Sequence, residues 1–124
     1  MLKKILFLLS LPVQLCGAFG EVTDANFDQV VLQSDRPVIV KAYVPGCAGC
    51  QALAPVFSKV SGMYDERYQF VEINVRSNAG VRNRFNIRLA PTTLFFKNGQ
   101  EVGRKVDTMT EKVLSSLIEK YLRY

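Results

Sequence analysis

Two cysteines stand three residues apart in the segment Cys47-Ala48-Gly49-Cys50. A β-branched apolar run, Val38-Ile39-Val40, precedes them and predicts a buried strand, and a helix-like stretch begins near Ala48. Two thiols at a strand-to-helix junction can share one disulfide. The positive end of the helix dipole stabilises the thiolate nearest to it, which we expect to be that of Cys47. Because an exposed thiolate attacks other disulfides, the motif predicts thiol–disulfide redox chemistry.

Other uses of such a cysteine pair are metal binding, haem attachment and a purely structural disulfide. A structural zinc site needs about four Cys or His ligands. The chain has no histidine, and its third cysteine, Cys16, lies in a segment that we expect to be removed. A Cys/His zinc site within one chain is therefore excluded, although two chains could share an ion through four thiolates. Haem attachment needs a histidine after the second cysteine, where Gln51 stands. A structural disulfide stays open as an alternative, although so short a loop removes little unfolded-state entropy.

Residues 1–20 are predicted to be a secretory signal peptide. Lys3 and Lys4 form its charged start, and an apolar stretch follows from Ile5 to Leu15. Ala18-Phe19-Gly20 places small residues at the two positions that a signal peptidase reads. Cleavage after Gly20 would leave residues 21–124 as one domain.

Export would place this domain in an oxidising compartment, where a disulfide persists, and we expect that compartment to be a bacterial periplasm. The apolar stretch is too short for the roughly 20 residues of a membrane span, so none is expected in the mature chain. Membrane attachment would require an uncleaved signal or lipidation of Cys16. The bulky Leu15 before Cys16 argues against a lipoprotein.

The chain carries 16 basic and 11 acidic residues, for a formal net charge of +5. The basic residues are unevenly distributed, because the segment from Ile73 to Gln100 contains five of them and no acidic residue. This segment is either a solvated basic face or a surface that attracts acidic partners or anionic lipid headgroups. A nucleic-acid partner is not expected, since no binding motif appears and exported proteins seldom meet nucleic acid. The five basic residues are Arg76, Arg82, Arg84, Arg88 and Lys97.

The predicted elements of residues 21–124 follow the order β-α-β-α-β-α-β-β-α. Strands are predicted near 21–22 and over 37–44, 68–75, 92–97 and 101–106, with Asn98-Gly99 as the turn of a terminal hairpin. Helices are predicted after Thr23 or Asp24, from Ala48 with a kink at Pro55, over 78–85 and from Thr110. This order predicts an α/β fold with a mixed central sheet and helices on both faces. The helix residues predicted to face inward are Phe27, Val30, Val31, Leu53, Val56, Phe57, Val60, Val113, Leu114, Leu117, Ile118 and Tyr121.

This order and these motifs resemble the thioredoxin family over the whole of residues 21–124. The run from Val38 to Tyr43 resembles the family's central strand, and Cys47-Ala48-Gly49-Cys50 matches its Cys-x-x-Cys. Ala54-Pro55 matches the family's proline five residues after the second cysteine. Ala90-Pro91-Thr92 falls where the family has its cis-proline loop, and Phe95 to Gly99 resembles its hairpin. The resemblance implies a thioredoxin fold.

The resemblance also implies roles for four of these residues. Cys47 would be the exposed attacking sulfur, and Cys50 the buried resolving sulfur that breaks the mixed disulfide. Pro91 would be cis and lie opposite the disulfide, although an ordinary proline that leads into a strand stays possible. The backbone of Ala90 could then pair with an extended substrate strand. No organic cofactor is implied, since the Cys47–Cys50 disulfide itself carries the electrons.

The chain departs from the family pattern at Lys41, where thioredoxins commonly carry a buried aspartate that accepts a proton near the resolving thiol. The family often has a lysine on the neighbouring strand, and by register that position is Glu72. An ion pair with exchanged charges would reduce the free-energy cost of burying Lys41. The alternative is that Lys41 reaches solvent along the sheet edge. If the pair forms, we expect Lys41 and Glu72 to assist proton transfer at Cys50.

A second departure lies beside the first cysteine, where thioredoxins usually place a tryptophan and this chain has Gly46. Tyr43 stands at the place of the family's other tryptophan, and the chain contains no Trp. A bare rim at Gly46 would admit bulkier or less extended substrates. Between the cysteines, Ala48-Gly49 lacks the histidine that often accompanies oxidising members. This absence favours a moderate to low reduction potential, which a protonated Lys41 close to the thiolate would raise.

The expected function is that of an exported, monomeric thiol–disulfide oxidoreductase. It would reduce disulfides in exported proteins, or form or isomerise them, together with an unidentified redox partner. A non-catalytic module of the same fold is the alternative. Such a module would serve as a docking surface or hold Cu(I), a soft ion suited to two thiolates.

Overall fold

A five-stranded mixed sheet forms the centre of the computed structural model, which describes residues 20–123. The strands are β1 (Gly20–Val22), β2 (Val38–Tyr43), β3 (Gln69–Asn74), β4 (Thr92–Lys97) and β5 (Gln100–Val106). Their order across the sheet is β1-β3-β2-β4-β5. The strands β1, β3 and β2 run parallel, whereas β4 is antiparallel to both β2 and β5. The predicted mixed sheet and its terminal hairpin are confirmed.

Three α-helices accompany the sheet, namely α1 (Ala48–Tyr64), α2 (Ala79–Arg84) and α3 (Glu111–Leu122). A 3₁₀ turn, Asp65–Arg67, follows α1. The first predicted helix is instead a π-helical turn, Asp28–Leu32, in which the Gln33 N–H donates to the Asp28 carbonyl over 2.9 Å. Phe27, directly before this turn, and Val31 within it are buried as predicted, and Val30 is half-buried. A single π-helical turn departs from the 3.6-residue period that the prediction assumed.

The helical elements cover both faces of the sheet, as predicted. On one face, Phe27 and Val31 pack with Val81 of α2 against alternate strand residues such as Val40 and Phe96. On the other face, Leu53 and Phe57 of α1 and Leu114 and Ile118 of α3 pack against Ile39 and Phe95. Because neighbouring strand residues point to opposite faces, Lys41 lies on the α1 side together with Ile39. The sheet is therefore buried on both faces.

One predicted inward position of α3 is wrong, and one buried position was not predicted. Val113 is 38% exposed, whereas Leu122, which was not predicted to face inward, is buried. The buried stripe of α3 runs through Leu114, Ile118 and Leu122 at a spacing of four residues, and Val113 is turned about 100° from Leu114 around the helix. Val56, Leu117 and Tyr121 are half-buried and pack against the core on the α1 face of the sheet, as predicted. Pro55 lies inside α1, and its kink stays a prediction.

The C-terminal ends of the parallel strands meet the N-terminus of α1 and the loop before β4. The Thr92 hydroxyl donates to the Leu89 carbonyl over 2.6 Å, and the Asp107 N–H donates to the Pro91 carbonyl over 2.8 Å. These bonds hold the loop before β4 against the end of β5. No helix within residues 20–123 is long and apolar enough to cross a membrane. Residues 1–19, which include most of the predicted signal peptide and Cys16, lie outside the described residues.

Candidate redox site

Cys47 and Cys50 form a disulfide at the start of α1, with their Cα atoms 5.1 Å apart. Cys47 directly precedes the helix, and Cys50 is its third residue. The Cys50 N–H, one of the N-terminal donors that have no partner within the helix, lies 3.1 Å from the Cys47 sulfur. This donor and the helix dipole stabilise negative charge on that sulfur. The predicted placement of Cys47 at a helix N-terminus is confirmed.

The two sulfurs differ in their access to solvent. Cys50 is 6% exposed and packs beneath the first turn of α1, whereas Cys47 is only half-buried. A partner molecule can therefore reach the Cys47 sulfur first. This asymmetry fits the division of roles that the family resemblance implies for the pair.

The loop before β4 supplies the opposite wall of the site. Its Ala90–Pro91 peptide bond is cis, as the resemblance implied. The Ala90 carbonyl oxygen lies 3.6 Å from the Cys47 sulfur. A methyl group added at Gly49 would lie 3.2 Å from Cδ of Pro91, so the proline ring stands against the dipeptide between the two cysteines. Pairing of the Ala90 backbone with a substrate strand stays a prediction.

Lys41 and Glu72 form an ion pair behind the disulfide. They face one another in the register of β2 and β3, and Nζ of Lys41 lies 3.2 Å from Oε1 of Glu72. The Lys41 side chain is 5% exposed, and that of Glu72 is 24% exposed. The alternative in which Lys41 reaches solvent along the sheet edge is wrong, because β2 is the central strand. The Lys41 ammonium also lies 5.3 Å from the ring centre of Phe57, within the range of a cation–π contact.

Tyr43 extends the polar side of the site toward β1. Its hydroxyl donates a 2.6 Å hydrogen bond to Oε2 of Glu21. Burial raises the pKa of the Tyr43 phenol far above its usual value, and the hydrogen bond to Glu21 and the nearby carboxylates of Glu21 and Glu72 raise it further. No pattern in the sequence pointed to Glu21. Residues 22 positions apart meet here only because β1 and β2 both pair with β3.

Gly46 forms an open rim next to Cys47. A methyl group added at this position would meet no atom within 4 Å, so this edge of the site is bare as predicted. The backbone of Gly46 has φ +76°, a conformation that residues with a Cβ rarely adopt. The glycine therefore satisfies a backbone requirement as well as leaving space beside the nucleophile.

These residues surround one cleft of about 310 Å³. Lys41 and Glu72 lie at its inner end and Gly46 at its rim, and both cysteines border it. Cys50 therefore shares one cleft with a carboxylate and an ammonium group. Within residues 20–123 no cluster of three or more His, Cys, Asp or Glu side chains is arranged to hold a metal ion.

Sequence comparisons relate residues 18–120 to the family described as Thioredoxin. Thioredoxin 1 of Nostoc sp. is 37% identical over 106 residues, which cover 86% of this chain and 99% of that protein. Thioredoxin of Synechocystis sp. is 36% identical over the same shares of the two chains. The M-type, chloroplastic thioredoxin of Spinacia oleracea is 33% identical over 82% of this chain and 56% of its own length.

All five strands, the helices α1 and α2, most of α3 and the cysteine pair lie within the matched residues. The family uses such a pair of its own cysteines, without an organic cofactor, to exchange disulfides with protein thiols. The chain therefore belongs to the thioredoxin family and is a thiol–disulfide oxidoreductase.

Proposed function

We propose that this protein is a monomeric reductase of disulfide bonds in exported proteins, with Cys47 as nucleophile and Cys50 as resolving thiol. The observation that carries the proposal is the asymmetry of the pair. Cys47 is the accessible sulfur and receives the Cys50 N–H, whereas Cys50 is 6% exposed. A nucleophile must reach its substrate, and a resolving thiol needs to reach only Cys47.

The reaction starts from the reduced dithiol. The Cys47 thiolate attacks one sulfur of the substrate disulfide, whose S–S bond breaks, and the departing substrate sulfur takes the electron pair and then a proton. The Cys50 thiolate next attacks the Cys47 sulfur of the mixed disulfide and releases the second substrate thiol. Two electrons pass from the cysteine pair to the substrate, and the Cys47–Cys50 disulfide remains. A dithiol donor must then reduce this disulfide before the next cycle.

Resolution requires that Cys50 lose its proton inside the cleft. Glu72 borders the same cleft and is the only carboxylate among its lining residues within the described chain, so it is the acceptor for this proton. Lys41, held 3.2 Å from Glu72, stabilises the negative charge that then develops at Cys50. In this assignment the two residues share the task that the family commonly gives to a buried aspartate.

The dipeptide between the cysteines supports reduction over oxidation. Ala48-Gly49 contains no group that carries positive charge, whereas a protonated histidine there would stabilise the thiolate and raise the potential. The direction can be measured by equilibrating the purified protein with glutathione. We expect a reduction potential near −270 mV, roughly the thioredoxin value. A value of roughly −120 to −180 mV would identify an oxidant or isomerase and would overturn the assignment as a reductase.

Export to a bacterial periplasm rests on the pattern of residues 1–20. Cleavage after Gly20 would remove the first residue of β1, which pairs with Val71, and would leave the pairs of Glu21 and Val22 with β3 intact. Mass spectrometry of the protein recovered from its host would test this proposal. A mature chain that begins at Glu21 would support export, and an intact N-terminus would contradict cleavage.

The division of roles between the cysteines is tested by replacing each one. Cys50→Ala leaves Cys47 without a resolving thiol, so we expect long-lived mixed disulfides between Cys47 and protein substrates. Cys47→Ala removes the nucleophile and should trap none. Mass spectrometry of the trapped complexes identifies the bonded cysteine. If Cys50→Ala forms no mixed disulfide with any disulfide substrate, the reductase proposal fails and a docking module would explain the fold better.

A further inference from the structure

A second groove, of about 330 Å³, lies beside the redox site. Its floor is apolar and is formed by Val44, Val75 and Ile87. Ala90, whose carbonyl oxygen is 3.6 Å from the Cys47 sulfur, lies at one end of this groove. Val44 borders both the groove and the redox cleft. A polypeptide bound in the groove would therefore run directly toward the nucleophile.

Three arginines line this groove, and we call it the arginine groove. Their hydrogen bonds within residues 20–123 go to neutral oxygens. Arg82 donates to the Val75 carbonyl over 3.0 Å, Arg88 to Oδ1 of Asn86 over 3.1 Å, and Arg76 to the Pro45 carbonyl over 3.5 Å. None of the ion pairs found among the described residues includes any of the three. Their positive charge is therefore not neutralised within the described part of the chain.

Two nearby arginines outside the arginine groove form ion pairs with carboxylates. Arg84, on the same helix as Arg82, lies 2.7 Å from a carboxylate oxygen of Asp28, and Arg104 of β5 pairs with Glu101. Among the described arginines of the basic segment, those that form no ion pair therefore lie together at one concave surface. Charges of one sign beside an apolar wall raise the local concentration of oppositely charged partners.

We propose that the arginine groove binds an acidic polypeptide segment that flanks the cysteines of the substrate, and so selects acidic substrates for reduction. The proposal rests on the reductase function proposed above. A polypeptide fits this surface better than a membrane, because the groove is concave and its apolar floor can accept a side chain. Leu89, 64% exposed at the edge of the groove, adds an apolar contact next to Ala90. Guanidinium groups bind carboxylates through paired N–H donors.

The test compares the reduction of three disulfide peptides that differ only in the residues around their cysteines, which are glutamates, serines or lysines. Dithiothreitol serves as the electron donor for the purified protein. We expect kcat/KM for the glutamate peptide to exceed that for the serine peptide about tenfold at low salt, since each exposed ion pair contributes modestly. The lysine peptide should be the poorest substrate. The preference should largely disappear near 1 M salt, where the Debye length is about 3 Å.

A charge-matched pair of variants locates the effect. The groove variant carries Arg76→Gln, Arg82→Gln and Arg88→Gln. The control carries Lys59→Gln, Arg84→Gln and Arg123→Gln, three exposed residues that form ion pairs elsewhere. We expect the groove variant to lose most of the preference for the glutamate peptide while it reduces the serine peptide normally, and the control to keep the preference. If loss of the Arg82 bond to Val75 unfolds the protein, the double variant Arg76→Gln/Arg88→Gln replaces it.

Each result separates this proposal from the one on which it rests. If the protein reduces none of the peptides, the reductase function fails. If it reduces all three equally, the reductase function stands and the acidic selectivity is overturned. If the groove variant and the control lose the preference for the glutamate peptide equally, the preference depends on overall charge, and this too would overturn the proposal. Binding to vesicles of anionic phospholipid tests the lipid alternative. If the three peptides are reduced at equal rates, and wild type and control bind the vesicles but the groove variant does not, the groove binds a lipid surface instead.

Discussion

Lys41 and Glu72 face one another on β2 and β3, with the Lys41 ammonium 3.2 Å from the Glu72 carboxylate and both side chains at the inner end of the redox cleft. Their charges are exchanged relative to the pair that thioredoxins commonly place there. The ammonium is the more deeply buried partner, at 5% exposure against 24% for the carboxylate. Glu72 therefore retains some hydration, whereas Lys41 depends on its contacts with protein groups.

This difference in burial predicts unequal effects of removing either charge. Glu72→Gln would leave the buried ammonium without its carboxylate and should lower the free energy of unfolding by about 2–3 kcal/mol. Lys41→Met replaces the ammonium with an apolar group of similar length, and Glu72 can still contact water, so its effect should be about 1 kcal/mol or less. Urea unfolding at neutral pH measures both. If Lys41→Met lowers the free energy of unfolding more than Glu72→Gln does, the carboxylate depends on the ion pair more strongly than the ammonium, which would contradict this prediction.

The same pair predicts a kinetic effect on the second step of the reaction. Lys41→Ala removes the charge that stabilises the developing Cys50 thiolate, so resolution of the mixed disulfide should slow by about tenfold, while attack by Cys47 changes less. Rapid-quench experiments with a single disulfide substrate measure the two steps separately. Equal mixed-disulfide lifetimes in the variant and the wild type would remove the proposed role. A pH profile of the resolution step distinguishes proton transfer from a structural defect.

Asp24 is predicted to stabilise the N-terminus of α2. Its carboxylate accepts hydrogen bonds from the Gly80 N–H over 2.9 Å and from the Val81 N–H over 2.8 Å. Asp24→Ala leaves both donors without this acceptor and should lower the free energy of unfolding by about 1–2 kcal/mol. Asp28→Ala is the control, since the carboxylate of Asp28 forms only an exposed pair with Arg84 and should contribute less than about 1 kcal/mol. Equal losses in the two variants would contradict the helix-stabilising role of Asp24.

The hydrogen bond from Tyr43 to Glu21 predicts a loss of stability at alkaline pH. Burial and the adjacent carboxylates raise the pKa of Tyr43 in the folded protein, so the unfolded chain loses this proton first. Stability from this group is present below about pH 10 and falls as the pH rises toward the folded-state value. Tyr43→Phe should flatten this decline when unfolding free energies are compared between about pH 8 and pH 11. Burial and Glu119 raise the pKa of Tyr64 in the same direction, so part of the decline should remain.

Near-ultraviolet absorbance provides an independent measurement of the same group. The chain has five tyrosines and no tryptophan, so tyrosinate absorbance is free of an indole signal. In the folded protein Tyr43 should ionise at higher pH than a phenol in water, because burial and the nearby carboxylates raise its pKa. A smaller tyrosinate absorbance in Tyr43→Phe than in wild type already near pH 10, roughly where a phenol in water ionises, would contradict the raised pKa of Tyr43.

Short-range patterns in the sequence were sufficient for most elements and for the reactive pair. The β-branched and aromatic residues of Thr92–Lys97 predicted β4 with its observed bounds, and the Cys-x-x-Cys at a strand-to-helix junction placed Cys47 before α1. These predictions succeed because helix and strand periods depend on residues only a few positions apart. The same reasoning misjudged Val113 and Leu122, since the orientation of α3 is decided by the sheet on which it packs.

The tertiary structure alone brought together residues that are distant in the chain. The sequence left two alternatives open for Lys41, and the central position of β2 decided between them. The contact of Glu21 with Tyr43 has no local signal either. The basic segment was visible in the sequence, but the grouping of Arg76, Arg82 and Arg88 around one apolar floor was not. Such contacts depend on strand order, strand register and the packing of the connecting helices. These in turn are decided by the burial of all the apolar side chains of the domain together. The sequence by itself determined which chemistry the chain carries, and the packing of the sheet decided which charges surround it.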